Sequence, residues 1–332
     1  MRKRNWLLII PLLLLIVYLL GPKPKTPVYD ITMPVLPSDP KALTGYVAAE
    51  EARHKVKENN EARIVWFNDS LKNVTPVSIV YLHGFTASQE EGNPVHRDIA
   101  KKFGCNLYLS RLSEHGIDTV ETLQRLTADS YWESAKRALA IGRQIGQKVI
   151  IMGTSTGGTL ALKLAAEYPD VYALVLMSPN IEIDDNNAWL INNPWGLQIA
   201  RMVKGSKYID SKSDLRPEYL QYWTPYYRIE AAVALQELLE TSMNKATFQR
   251  VNQPTLVMYY YKNDVLRDSV VRVSAIKQMY EDLGTPPALK RAVAMPNTGN
   301  HVIGSWIKSK DVPGVEAETE KFFTDILHLP KQ

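Results

Sequence analysis

The sequence has one cysteine, Cys105, among 332 residues, so it can close no internal disulfide and offers no thiolate cluster for zinc. It contains no His-Glu-x-x-His pair and no acidic loop with calcium spacing, which removes the usual metal-site signatures. Neither a Gly-x-Gly-x-x-Gly turn nor a P-loop occurs, so dinucleotide and nucleotide chemistry lack a phosphate cradle. No metal and no cofactor is expected. Charge of one sign is scarce too: 39 Lys and Arg stand against 35 Asp and Glu, a net +4. Arg2, Lys3, Arg4, Lys23 and Lys25 all precede the first acidic residue, Asp30, and the remainder is close to neutral. No basic domain is left to suggest a nucleic-acid partner.

What is present is ordinary globular material, 45% hydrophobic and 22% charged, which excludes a mainly disordered or polytopic chain. The length suits one α/β domain carrying an insertion. The N-terminus departs from this average. Met1-Arg-Lys-Arg precedes an apolar run from Trp6 to Leu20, followed by Gly21-Pro-Lys-Pro-Lys. A charged region followed by an apolar one reads as a membrane anchor or a signal sequence over residues 1–21. Leu19 and Pro22 fit poorly around a cleavage point after Gly21, which favours an uncleaved anchor. The balance of flanking charge predicts a single-pass protein with its body outside the cytoplasm, periplasmic in a bacterium. Six prolines between residues 22 and 40 predict an extended tether, and residues 41–332 the folded domain.

Within that domain, Asp39-Pro40 offers the start of a helix reaching about Lys57. Short apolar runs then alternate with helical patterns: strands at 63–67, 77–82, 106–109, 148–152 and 172–177, and helices near 94–103, 128–145 and 157–167. The alternation predicts a mostly parallel central sheet with helices on both faces. Residues 180–250 break the rhythm with many Trp and Tyr and no strand-like run, which predicts a helical cap over the carboxyl edge of the sheet. It resumes with strands at 255–261 and 289–294 and helices near 269–282 and 315–327.

Gly153-Thr-Ser155-Thr-Gly157 lies between a predicted strand and a predicted helix. A turn sharp enough to demand small residues at both flanks lifts a serine hydroxyl clear of the sheet, and the following helix brings the Thr156 N–H to where negative charge develops. A serine is a weak nucleophile alone and needs a base and an acid. His301, in a loop after the last strand, is the natural base, since His328 ends the final helix. Asp264, just past a strand end, is the candidate acid. Asp268, followed by Ser269-Val-Val-Arg, fits better as the N-cap of the next helix. His83 and His115 read as loop-structuring residues, His54 and His96 as exposed helix residues.

In this Ser, acid, His order the sequence resembles the α/β-hydrolase superfamily from about residue 75 to the C-terminus. His83-Gly84-Phe85 is similar to its oxyanion loop, which implies a second oxyanion N–H from Phe85. Ser113-Glu-His115-Gly and Asp264-Val-Leu-Arg-Asp-Ser resemble loops of the serine esterases and of monoacylglycerol-lipase-like or proline-aminopeptidase-like members. Glu114 replaces a usual glycine, and tyrosines replace the usual glycine of the acid strand. The resemblance implies an α/β-hydrolase fold and a serine hydrolase that cleaves small carboxylic esters through an acyl-enzyme, with Ser155, Asp264 and His301 as its triad. An aminopeptidase or thioesterase using the same triad is the alternative, and a non-catalytic membrane-tethered binding module is the remote one.

Overall fold

Apolar runs become interior strands here because helices cover both faces of the sheet, so adjacent side chains enter different cores. A computed structural model describes residues 3–211 and 214–332. In chain order it has helices α1 (Lys3–Leu19) and α2 (Pro40–Glu51), strands β1 (Arg63–Val65) and β2 (Thr75–Leu82), helix α3 (Val95–Lys102), strand β3 (Asn106–Leu109), helix α4 (Ala128–Ile145), strand β4 (Gly146–Thr154), helix α5 (Thr156–Glu167) and strand β5 (Ala173–Met177). The insertion contributes α6 (Gly196–Lys204), β6 (Tyr208–Asp210), α7 (Pro217–Tyr222), β7 (Tyr226–Arg228), α8 (Ile229–Ser242) and α9 (Lys245–Gln249). Strand β8 (Thr255–Tyr259), helix α10 (Val273–Asp282), strand β9 (Lys290–Ala294) and helix α11 (Val312–Lys321) complete the fold.

Seven strands form one sheet in the order β1-β3-β2-β4-β5-β8-β9, parallel except for the β1 edge. Along β2, Val80 and Leu82 enter one core with Trp132, Leu139 and Leu160, while Ile79 and Tyr81 enter the other with Ile99, Phe322 and Phe323. The same alternation divides Val149 and Ile151 from Ile150 and Met152 on β4. Helix α4 starts in a capping box in which Thr127 and Ser130 exchange side-chain to backbone bonds, and α2 starts at Asp39, whose carboxylate accepts the Ala42 N–H. Tyrosine-rich stretches read as strandless pair as the antiparallel ribbon β6–β7. His96 is fully buried, not exposed, and bonds the Gln89 carbonyl.

The N-terminal expectation needs correction. Among the described residues no helix is long and apolar enough to cross a membrane. At 1.5 Å per residue the 17 residues of α1, interrupted by Pro11, span roughly 25 Å, short of the ~30 Å of a bilayer's hydrocarbon core. The single-pass, extracytoplasmic placement is therefore unsupported. The Pro-rich stretch also differs from a free tether. Val28 N–H bonds Asp129, Tyr29 bonds Thr241, and the Asp30 carbonyl accepts from both Trp132 Nε1 and Lys136 Nζ. Tyr168 donates to the Ile31 carbonyl. These contacts fasten residues 28–31 across α4, α8 and Tyr168 at the end of α5.

Candidate active site

Strand β4 runs into α5 through a turn that only small residues permit. A Cβ on Gly157 would lie 1.9 Å from the Leu82 carbonyl oxygen, and one on Gly153 would lie 2.4 Å from the Gly157 oxygen. Between them Ser155 takes φ 53° and ψ −119°, a conformation that costs a non-glycine residue about 1–3 kcal/mol. The surroundings hold it there: Ser155 N–H donates to the Met177 carbonyl, and its own carbonyl accepts from Gly158 and Asn180. Thr156 begins α5, where first-turn N–H groups have no partner within the helix. Ser155 lines a cavity of about 550 Å³ together with Phe85, Glu91, Asn180, Tyr227, Asp268 and His301.

His301 faces Asp268, not Asp264. Its Nδ1 lies 2.6 Å from Asp268 Oδ2, and the other Asp268 oxygen accepts the Val270 and Val271 N–H groups. With Nδ1 engaged, Nε2 is the nitrogen free to serve a hydroxyl. The expected acid, Asp264, sits at the exposed tip of an excursion after β8 that closes by a Tyr261–Arg267 bridge, and it accepts the Tyr261 hydroxyl at 2.8 Å. Asp268 is where the chain returns to the strand end, its N–H bonded to the Tyr260 carbonyl. Helix α10 begins later, at Val273 after Arg272, so Asp268 is not its cap.

Burial opposes charge on both members of this pair, but each supplies what the other needs. On His301, burial is outweighed by the charge and hydrogen bond of Asp268 and by nearby Glu91, so its proton affinity is raised. On Asp268, burial is outweighed by His301 and by the two N–H donors, which hold it below the ordinary carboxylate range.

His83 and His115 organise the loops around the site. His83 Nδ1 bonds the Gly84 carbonyl and its Nε2 accepts the Leu112 N–H, while His115 bonds the Ser113 carbonyl and Tyr131. Burial pushes His83 down to about 4 and His115 well below the ordinary range, so both are neutral near pH 7. Glu114, standing where a glycine is usual, adopts φ 64°, the left-handed conformation that explains the usual choice. Phe85 packs edge-on against Tyr227 with ring centres 5.0 Å apart. Glu91 is the buried acid that the sequence did not single out; no local pattern marks a carboxylate that tertiary packing will bury.

A mostly parallel sheet with a strained serine at the β4–α5 turn, and an Asp–His pair beside it, defines an α/β-hydrolase. A model of the Hydrolase_4 family, described as serine aminopeptidase, S33, matches residues 115–296, more than half of the chain, and the chain belongs to that family. It is 29% identical over 184 residues to a thermostable monoacylglycerol lipase of Bacillus sp. strain H-257, covering 55% of this chain and 68% of that protein. Solved structures share the fold at lower identity. One from work on the metagenome-derived lipolytic enzymes LipS and LipT aligns with TM-score 0.63 and 15% identity, over 81% of this chain and 99% of the other. A monoacylglycerol lipase of Paleococcus ferrophilus aligns with TM-score 0.56 and 11% identity, over 80% and 99%.

Proposed function

We propose that the protein is a serine hydrolase of carboxylic esters in which Ser155, His301 and Asp268 form the triad. The observation that carries this reading is the Asp268–His301 pair opening on the same cavity as the strained Ser155. Ser155 Oγ attacks the ester carbonyl carbon while its proton passes to His301 Nε2; the C–O bond to the alcohol then breaks and that proton leaves with the alcohol. A water repeats the sequence on the acyl-enzyme, releasing the acid and restoring Ser155. Asp268 holds the imidazole and offsets its positive charge, and the N–H groups of Thr156 and Phe85 receive the oxyanion. No cofactor enters these steps.

Aromatic and aliphatic residues of the insertion, including Trp223, Tyr227 and Leu235, line the cavity and suit an apolar acyl chain. Together with the monoacylglycerol lipase relative, this favours a monoacylglycerol or similar monoester. The family's description as serine aminopeptidases favours a second reading, cleavage of aminoacyl amides by the same triad. A panel of p-nitrophenyl esters, monoacylglycerols and aminoacyl p-nitroanilides separates the two. Turnover of esters with little on anilides is the expected result; the reverse preference would replace the esterase with an aminopeptidase.

A further inference from the structure

The turn that follows the His83-Gly84-Phe85 loop carries Glu91, whose side chain is almost wholly buried and faces the same cavity as Ser155 and His301. Its carboxylate accepts the Gly84 N–H at 2.5 Å. Gly84 is squeezed between this carboxylate and the serine: a Cβ there would lie 2.9 Å and 3.0 Å from the two carboxylate oxygens and 3.0 Å from Ser155 Cβ. The turn is also fastened to the segment that carries the histidine. Ser305 Oγ donates to the Glu90 carbonyl at 3.0 Å, Trp306 Nε1 to the Glu90 carboxylate at 2.9 Å, and Trp306 N–H to the Asn93 carbonyl at 3.0 Å. Glu91 thus has a fixed position relative to the oxyanion loop, the nucleophile and the base.

We propose that Glu91 is a positioning residue of this site, which fixes the Gly84 peptide so that the next N–H, that of Phe85, points at the oxyanion, and which acts with Asp268 to stabilise the imidazolium formed when Ser155 loses its proton. The proposal rests on the serine-hydrolase reading above. Among the described residues no Lys or Arg pairs with Glu91. The groups that its charge reaches are Tyr81 of β2, Tyr131 of α4 and His301; His83 bonds the carbonyl of the same Gly84 whose N–H Glu91 holds, and Glu90 precedes it in the chain. Burial raises both tyrosines well above the ordinary range and pushes His83 down to about 4, so these three stay neutral between pH 5 and 9. Burial likewise raises Glu91 to about 7, against the lowering effects of the Gly84 N–H and His301. The charge of each thus acts on the other: Glu91 raises the proton affinity of His301, and His301 lowers that of Glu91.

The test compares wild type, Glu91→Gln, Glu91→Ala and Ser155→Ala on one p-nitrophenyl ester from pH 5 to 9. Glutamine keeps an acceptor for Gly84 but no charge. Its acid limb of kcat/KM should move to lower pH, so that one pH unit below the wild-type midpoint it keeps roughly threefold more of its own plateau than wild type does. Alanine leaves the Gly84 N–H unpaired and should lower kcat about tenfold or more with KM little changed, a loss that glutamine largely rescues. A glutamine limb superimposed on wild type, or an alanine variant within twofold of wild-type kcat, overturns the proposal. In the unaltered protein, a ¹⁵N NMR titration of His301 should depart from a one-proton curve; a clean one-proton curve also overturns it, and this readout needs no variant to fold. Should Ser155→Ala retain turnover, the underlying hydrolase reading fails, an outcome distinct from failure of the Glu91 role.

Discussion

Replacing Asp268 by asparagine removes one charge from a residue that is 1% exposed and leaves its shape almost unchanged. The Asn carbonyl can still accept the Val270 and Val271 N–H groups, which fixes which end of the amide faces His301. That end is then the NH2 group, and it can bond Nδ1 only if Nδ1 is an acceptor. The imidazole must carry its proton on Nε2, where it cannot take the proton of Ser155. In a serine protease, the worked case for this substitution, the wrong tautomer lowers kcat by about 10⁴, and a loss of that order is expected here. Asp264→Asn instead weakens one exposed contact with Tyr261 and should leave kcat within about twofold. Steady-state kcat on a p-nitrophenyl ester, with thermal unfolding to show that each variant is folded, checks both. Near wild-type turnover in Asp268→Asn, with the loss in Asp264→Asn, would refute the reasoning.

Three more predictions follow from the same geometry. In the proposed triad His301 must be neutral to act as base, and its proton affinity is raised, so kcat/KM should increase with pH through a midpoint above the ordinary 6.5; a flat profile or a lower midpoint would contradict this. Gly157→Ala places a methyl against the Leu82 carbonyl and should cost roughly 3 kcal/mol by denaturant unfolding, along with activity; an unchanged midpoint would show that the turn has slack. Removing residues 1–26 takes away the Trp195 bonds to the Val17 and Pro22 carbonyls and should cost no more than about 1–2 kcal/mol while turnover is kept, since the bonds to Asp129, Thr241, Trp132 and Lys136 begin at Val28. Removing residues 1–37 should cost roughly 2–5 kcal/mol through lost hydrogen bonds and apolar contacts, and equal melting temperatures for the two truncations would argue against the docked segment.

The middle of the sheet was legible because β2, β3, β4, β5 and β8 carry apolar runs buried on both faces, and the start of α2 because Asp39-Pro40 marks it. Ser155 was legible because the turn restricts which residues may flank it. Asp264 was expected beside His301 because distance along the chain from Tyr259 stood in for distance in space, and the structure puts Asp268 there instead. The Tyr261–Arg267 excursion carries the first aspartate away and returns the second to the strand end. The docking of residues 28–31 was invisible for a different reason: several of its bonds use main-chain carbonyls, which every sequence possesses. The apolar run near the N-terminus was over-read, because hydropathy without sufficient helical length does not make a span.

The most direct test of the central claim is covalent labelling of the folded protein with a fluorophosphonate, read by intact mass and then by peptide mapping. One adduct on the peptide bearing Ser155, absent from Ser155→Ala and formed far more slowly by Asp268→Asn, is the predicted result. An adduct on another residue, or undiminished ester turnover by Ser155→Ala, would contradict the account.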